Sequence, residues 1–223
     1  MKQPDEKIAE STADPIEGFV LAGGQSRRMG QSKPTLLLGG TTLLDRAANT
    51  LSRIADPISA VGNLTPDVTF LPIIEDELVR ANTRGSIIGL YTALFHAKTE
   101  WTAILACDLP FIDGELLARM VSVIGRSADS PKINVAAVFA EQPDGRFQPL
   151  CGLFRAQSCL PKIRKMFDDD NWRLQDLATG LNPRILRFAE YEDIPGAKHM
   201  FLNMNTPNDY QAAIEHETSL REG

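Results

Sequence analysis

Two apolar runs, each of strand length and each cut off abruptly, constrain this chain more than any other feature. Residues 16–22 (IEGFVLA) stop at Gly23-Gly24, and residues 101–107 (WTAILAC) stop at Asp108-Leu109-Pro110. A run that is apolar almost throughout reads as a strand covered on both faces, the usual situation in a parallel sheet. Around these runs the apolar spacing becomes helical. Leu44, Ala47, Ala48, Leu51 and Ile54 form one stripe, and Ile87, Tyr91, Leu94 and Lys98 set a second. Leu116, Leu117, Met120, Val121 and Ile124 form a third behind Asp113, a good N-cap.

Further strands are expected over residues 57–61, 69–74, 133–139, 149–154 and 201–205, and helices over 158–167 and 172–178. Gly39-Gly40 marks a tight hairpin. A last helix is expected with Thr206 as cap, Pro207 at its first position and Asp209 in its first turn. Strands alternating with helices predict an α/β fold, a mostly parallel sheet with helices on both faces. In such sheets ligands bind beyond the carboxyl ends of the strands. The loops after Ala22, after Cys107 and after Asn205 are therefore the places to look for chemistry.

The loop LAGGQSRRMGQSK, residues 21–33, contains Gly23, Gly24 and Gly30 with Arg27, Arg28 and Lys33. Glycines let backbone N–H groups approach phosphate oxygens, arginine adds forked donors and lysine a mobile point charge. The composition is that of a polyphosphate cradle. It is neither GxxxxGK[ST] nor GxGxxG, because the spacings of Gly24, Gly30 and Lys33 fit neither pattern. Asp108 ends a buried strand facing the expected crevice and is a hard oxygen ligand suited to Mg²⁺. In FLNMNTPNDY, residues 201–210, strand alternation would set Asn203 and Asn205 on one side, as a metal ligand or a substrate contact.

The rest of the chain excludes more than it adds. Apolar residues make up 43% and charged residues 23%, and the net charge is −6, so neither a disordered chain nor a general nucleic-acid binder is expected. No apolar run approaches the length of a membrane span. Residues 1–15 lack the marks of a secretory or transit signal and are read as a loose tail of a cytoplasmic protein. Cys107, Cys151 and Cys159 fit no CxxC spacing and are read as buried or idle thiols. His96, His199 and His216 show no metal spacing and are read as solvated, as is the acidic run Asp168-Asp169-Asp170.

The cradle loop, the later ACDLPF and the closing NMNTPNDY occur in the order seen in the MobA-like nucleotidyltransferases, and the chain resembles that family over about residues 16–215. Gly24 and the segment RFQPLCGLFR resemble its guanylyl branch. The resemblance implies a single Rossmann-like α/β domain over residues 16–218. It also implies transfer of GMP from GTP to the terminal phosphate of molybdenum-bearing molybdopterin, with release of pyrophosphate. By motif, Leu21, Ala22, Gly23 and Gly24 would touch the nucleotide, and Arg28, Gly30 and Lys33 would hold its phosphates. Asp108 would hold Mg²⁺, Asp76 would sit in the nucleotide site, and Asn203 and Asn205 would lie near the pterin or metal. Asn63 stands two residues past the position where the family often has an asparagine, and RGSIIG replaces a GPLAG-type turn. Transient contacts with other molybdenum-cofactor biosynthesis proteins are implied; nucleic acid and membrane are not.

Three rivals stay open from the residues. One is cytidylyl transfer to the same pterin, or nucleotidyl transfer to a sugar or alcohol phosphate. Another is a GTP-binding module without turnover. The third is a nicotinamide dehydrogenase, which lacks its GxGxxG here.

Overall fold

The computed structural model describes residues 15–23, 32–77, 85–125 and 135–222. Strands β1 (Ile16–Leu21), β4 (Ile58–Val61), β5 (Ile73–Ile74), β6 (Trp101–Ala106), β7 (Ala137–Glu141), β8 (Phe147–Arg155) and β9 (Arg184–Leu186) form one sheet. Its order is β5-β4-β1-β6-β8-β7-β9. Strand β8 runs antiparallel to both β6 and β7, and the other pairings are parallel. A separate hairpin joins β2 (Leu37–Leu38) to β3 (Thr41–Thr42) through Gly39-Gly40, both at positive φ, as the paired glycines predict.

The continuous apolar runs form the sheet's centre because each strand serves two cores. Within β1, Ile16 and Val20 face one core while Phe19 and Leu21 face the other; within β6, Ala103 and Leu105 oppose Ile104 in the same way. Helices α1 (Leu43–Leu51) and α3 (Gly114–Val123) cover the first face, joined by Ala213 of α6 (Pro207–Glu222). Helices α2 (Ser86–His96), α4 (Ala156–Asp168) and α5 (Leu174–Gly180) cover the second.

Local chemistry sets the helix starts. The Asp45 N–H donates to Thr42 Oγ1 at 3.0 Å before α1, and the Glu115 N–H to Asp113 Oδ1 at 2.7 Å before α3. At α6 the Asp209 carboxylate accepts from the backbone N–H groups of Asn205 (2.9 Å) and Thr206 (2.8 Å). The Asp209 N–H in turn donates to Thr206 Oγ1 at 3.2 Å. This reciprocal cap fixes the chain direction just where Asn205 precedes the helix.

Two expected strands differ. Residues 201–205 are irregular and pair with no strand. Phe201 and Met204 are buried three positions apart, not in alternation, and among the described residues the segment's one ladder-like tie is the Met204 N–H donating to Asp108 O at 3.1 Å. Over residues 69–74 only Ile73–Ile74 pairs, because Pro72 has no N–H to donate and Phe70 is fully exposed beside it. The strand expected over 133–139 begins at Ala137; residues 133 and 134 lie outside the described residues. Strand β9, short and half-polar, has no counterpart in the sequence pattern. Helix α6 continues past residue 218 to Glu222. Among the described residues no helix is long and apolar enough to cross a membrane.

Candidate functional site

Four strands end in step. The Cys107 N–H donates to Leu21 O at 3.1 Å, the Ala22 N–H to Val61 O at 2.8 Å, and the Gly62 N–H to Ile74 O at 3.0 Å. These bonds align the carboxyl ends of β6, β1, β4 and β5 as one edge. The chain leaves β1 toward β4 on one side and returns to β6 on the other, so this edge contains the point where the strand order reverses.

On the β6 side, three loops converge on one ammonium. Lys33 Nζ lies 3.0 Å from Asp108 Oδ2 and 3.0 Å from Asn205 Oδ1, across separations of 75 and 172 positions. The Lys33 and Asp108 side chains keep only 13% and 21% of their surface exposed. Lys33 opens a 3₁₀ turn with Pro34, and Asp108 is tied by its carbonyl to Met204, which is buried. Asn203 lies one residue before Met204, and its Oδ1 is buried with no hydrogen-bond partner among the described residues. Asn205 therefore reaches the site from an irregular segment strapped to the Asp108 loop, not from a strand, while the Asn203 side chain makes no described contact with Lys33 or Asp108.

On the β5 side, Asp76 is half-buried. Its Oδ1 is buried without a hydrogen-bond partner among the described residues, and burial raises the carboxyl above its ordinary value of 3.8. Glycines surround it. A first side-chain carbon at Gly23 would stand 3.4 Å from Asp76 Oδ2, and one at Gly89 would stand 3.7 Å from Oδ1. Gly62, at φ +141°, presses its backbone on Gly23, where an added carbon would meet the Gly23 amide nitrogen at 2.8 Å.

Of the residues expected at the site, Leu21 and Ala22 end and follow β1, both buried, and Gly23 follows them. Asn63 is exposed directly after Gly62. Gly24, Arg28 and Gly30, with Arg27, lie outside the described residues. Gly62 and Gly89 escaped sequence reasoning, although a glycine inside a helical stripe marks a close approach. His96, expected to be merely solvated, sets Nε2 3.0 Å from Glu77 Oε1. His199 and His216 lie ring to ring at 4.7 Å, with Phe111 edge-on to His216. All three cysteines are buried, and burial pushes each thiol up to about 12.

The arrangement offers one carboxylate and one amide oxygen around a cation position, plus a second carboxylate in a glycine-lined recess. Together these suit a phosphorylated, base-bearing ligand laid along the strand ends.

Comparison with known proteins agrees with that geometry. The family described as "MobA-like NTP transferase domain" matches residues 18–182. A probable molybdenum cofactor guanylyltransferase of Nostoc sp. is 32% identical over 199 residues, 87% of this chain and 88% of that protein. One from Geobacillus sp. is 28% identical over 205 residues, 89% of this chain and 98% of that protein. The crystal structure of molybdopterin-guanine dinucleotide biosynthesis protein A from Archaeoglobus fulgidus superposes with a TM-score of 0.71 at 20% identity, covering 92% of this chain and 100% of that one. A 2-C-methyl-D-erythritol 4-phosphate cytidylyltransferase from Thermus thermophilus shares the fold at a TM-score of 0.64 and 16% identity, with 92% and 99% covered.

Proposed function

Because the chain belongs to the MobA-like NTP transferase family, we propose that it transfers GMP from GTP to the terminal phosphate of molybdenum-bearing molybdopterin. The observation that carries this reading is the convergence of Lys33, Asp108 and Asn205 on one point at the strand ends. The relatives named as guanylyltransferases, which align with nearly the whole chain, supply the base and the acceptor.

The reaction is an in-line displacement at the α-phosphorus. An oxygen of the acceptor phosphate forms the new P–O bond, and the bond to pyrophosphate breaks, its electron pair leaving with the pyrophosphate. The acceptor is already an anion, so no strong general base is needed. The protein's work is positioning and charge neutralisation. Lys33 offsets charge on the triphosphate, with Arg28 and the Gly30 backbone assigned to the same task by motif. Leu21, Ala22 and Gly23 flank the nucleotide, with Gly24 assigned there by motif and Asn63 at the pocket's margin. Asp76 provides a carboxylate for donors on the base, and Asn203 and Asn205 face the acceptor.

A divalent cation fits the residues present. Asp108 Oδ2 and Asn205 Oδ1 already hold one positive group between them, and both are hard oxygen donors. Mg²⁺ held by Asp108, with Asn205 beside it, would neutralise phosphate charge and stabilise the leaving pyrophosphate.

The test is pyrophosphate release from GTP with and without molybdopterin-loaded acceptor. Release that depends on the acceptor supports the transferase. GTP binding without release would identify a non-catalytic module.

A further inference from the structure

Thr92 is a fully buried hydroxyl on α2 that the proposed reaction does not use. Its Oγ1–H donates to Ile88 O at 2.9 Å, one turn back. That leaves the oxygen's lone pairs to accept, and the Glu77 N–H donates to the oxygen at 2.9 Å. Glu77 is the residue after Asp76, and its carboxylate also meets His96 Nε2, one turn further along the same helix. Helix α2 therefore grips residue 77 at two points, and it faces Asp76 at Gly89, where an added side-chain carbon would stand 3.7 Å from Asp76 Oδ1.

We infer that Thr92 is a positioning residue for the nucleotide pocket, its hydroxyl fixing where the Asp76 carboxylate stands. Branching at Cβ restricts threonine's χ1, the bond to Ile88 O selects the rotamer and uses the one proton, and Oγ1 therefore faces the Glu77 N–H only as an acceptor. Among the described residues Asp76 Oδ1 has no hydrogen-bond partner to hold it, so the bonded backbone of residue 77 next to it sets where it stands. A hydroxyl kept only to satisfy itself would need just the Ile88 bond; the second bond, to the segment bearing the pocket carboxylate, gives Thr92 its role. The inference rests on the reading that Asp76 faces the nucleotide.

The experiment is a double-mutant cycle on GTP affinity, with Thr92→Val, Asp76→Ala and the pair. Valine keeps the shape and removes the acceptor for the Glu77 N–H. Thr92→Val is expected to raise the Kd and KM for GTP about tenfold, the scale of a buried N–H left unmade, while kcat stays within about twofold. Thr92→Ser is expected to restore the wild-type Kd. In the Asp76→Ala background, Thr92→Val should add less than about twofold, since it acts through that carboxylate. If the valine variant does not fold, Thr92→Ala removes the same hydroxyl and serves in its place, with thermal melts confirming the fold. A tenfold loss in Asp76→Ala beside an unchanged Kd in Thr92→Val, or two full losses that simply add, would overturn the inference alone. Wild-type affinity in Asp76→Ala would overturn the nucleotide-site reading and the inference with it.

Discussion

Lys33 Nζ stands 3.0 Å from Asp108 Oδ2, so the two groups assigned to opposite tasks in phosphoryl chemistry neutralise each other before any nucleotide arrives. One is to meet phosphate oxygens and the other a cation. A triphosphate arriving with its divalent cation would bring one charge for each partner, the phosphate oxygens for Lys33 and the cation for Asp108, so the ion pair would be exchanged for two contacts.

This pairing predicts unequal behaviour with and without nucleotide. Lys33→Ala and Asp108→Ala should each lower kcat by roughly 10²–10³, the loss seen on removing one preorganised charge-stabilising group. The double variant should lose much less than the product of the two, because the groups act on one phosphate–cation unit. Steady-state pyrophosphate release measures all three. Full multiplicativity would show that they act independently.

Asp76 should carry a stability cost. Burial raises its folded pKa above 3.8, so its ionised form is disfavoured in the fold, and the penalty grows as pH rises from 3.8 through the raised value. Asp76→Asn should therefore melt higher than wild type at pH 7, with the gap closing as pH falls toward 3.8, while GTP affinity drops. Melting curves across that range decide it. An asparagine variant less stable at every pH would contradict the sign.

Asp209 should behave oppositely. Backbone N–H donors from Asn205 and Thr206 lower its folded pKa below 3.8, so its contribution is full above 3.8 and disappears as pH falls through the lower folded value. Asp209→Ala should cost about 1 kcal/mol at pH 7, the usual worth of an N-terminal cap on an exposed residue. Urea titrations of both proteins should converge in acid.

Gly62→Ala should disturb both halves of the site. At φ +141° a side chain is strained, and its carbon would stand 2.8 Å from the Gly23 amide nitrogen. Destabilisation of more than about 1 kcal/mol is expected, with weaker GTP binding because Gly23 must move away from Asp76. Thermal melts and nucleotide titration measure the two effects together.

The parts of the fold that were legible in the sequence are those set by local pattern. β1 and β6 appeared as apolar runs because each serves two cores, α1 showed in its apolar stripe from Leu44, and α3 and α6 announced themselves by Asp113 and by Thr206 with Asp209 at their starts. Strand β9 was not legible because three half-polar residues at an edge leave no period to read. The irregular path of residues 201–205 was missed because FLNMN satisfies alternation on paper, while burial of Phe201 and Met204 against the Asp108 loop decides its conformation. Within the site, Lys33, Asp108 and Asn205 were marked by residue type and strand-end position. Gly62, Gly89 and Thr92 were not, since their roles depend on what lies across the space from them.

The most direct test of the proposed reaction is the mass of the product formed when the protein is given molybdopterin-loaded acceptor, Mg²⁺, and GTP, CTP and ATP together. A pterin dinucleotide heavier by one GMP unit, formed with stoichiometric pyrophosphate, is the predicted result. A CMP or AMP adduct, or unaltered pterin alongside bound GTP, would contradict it.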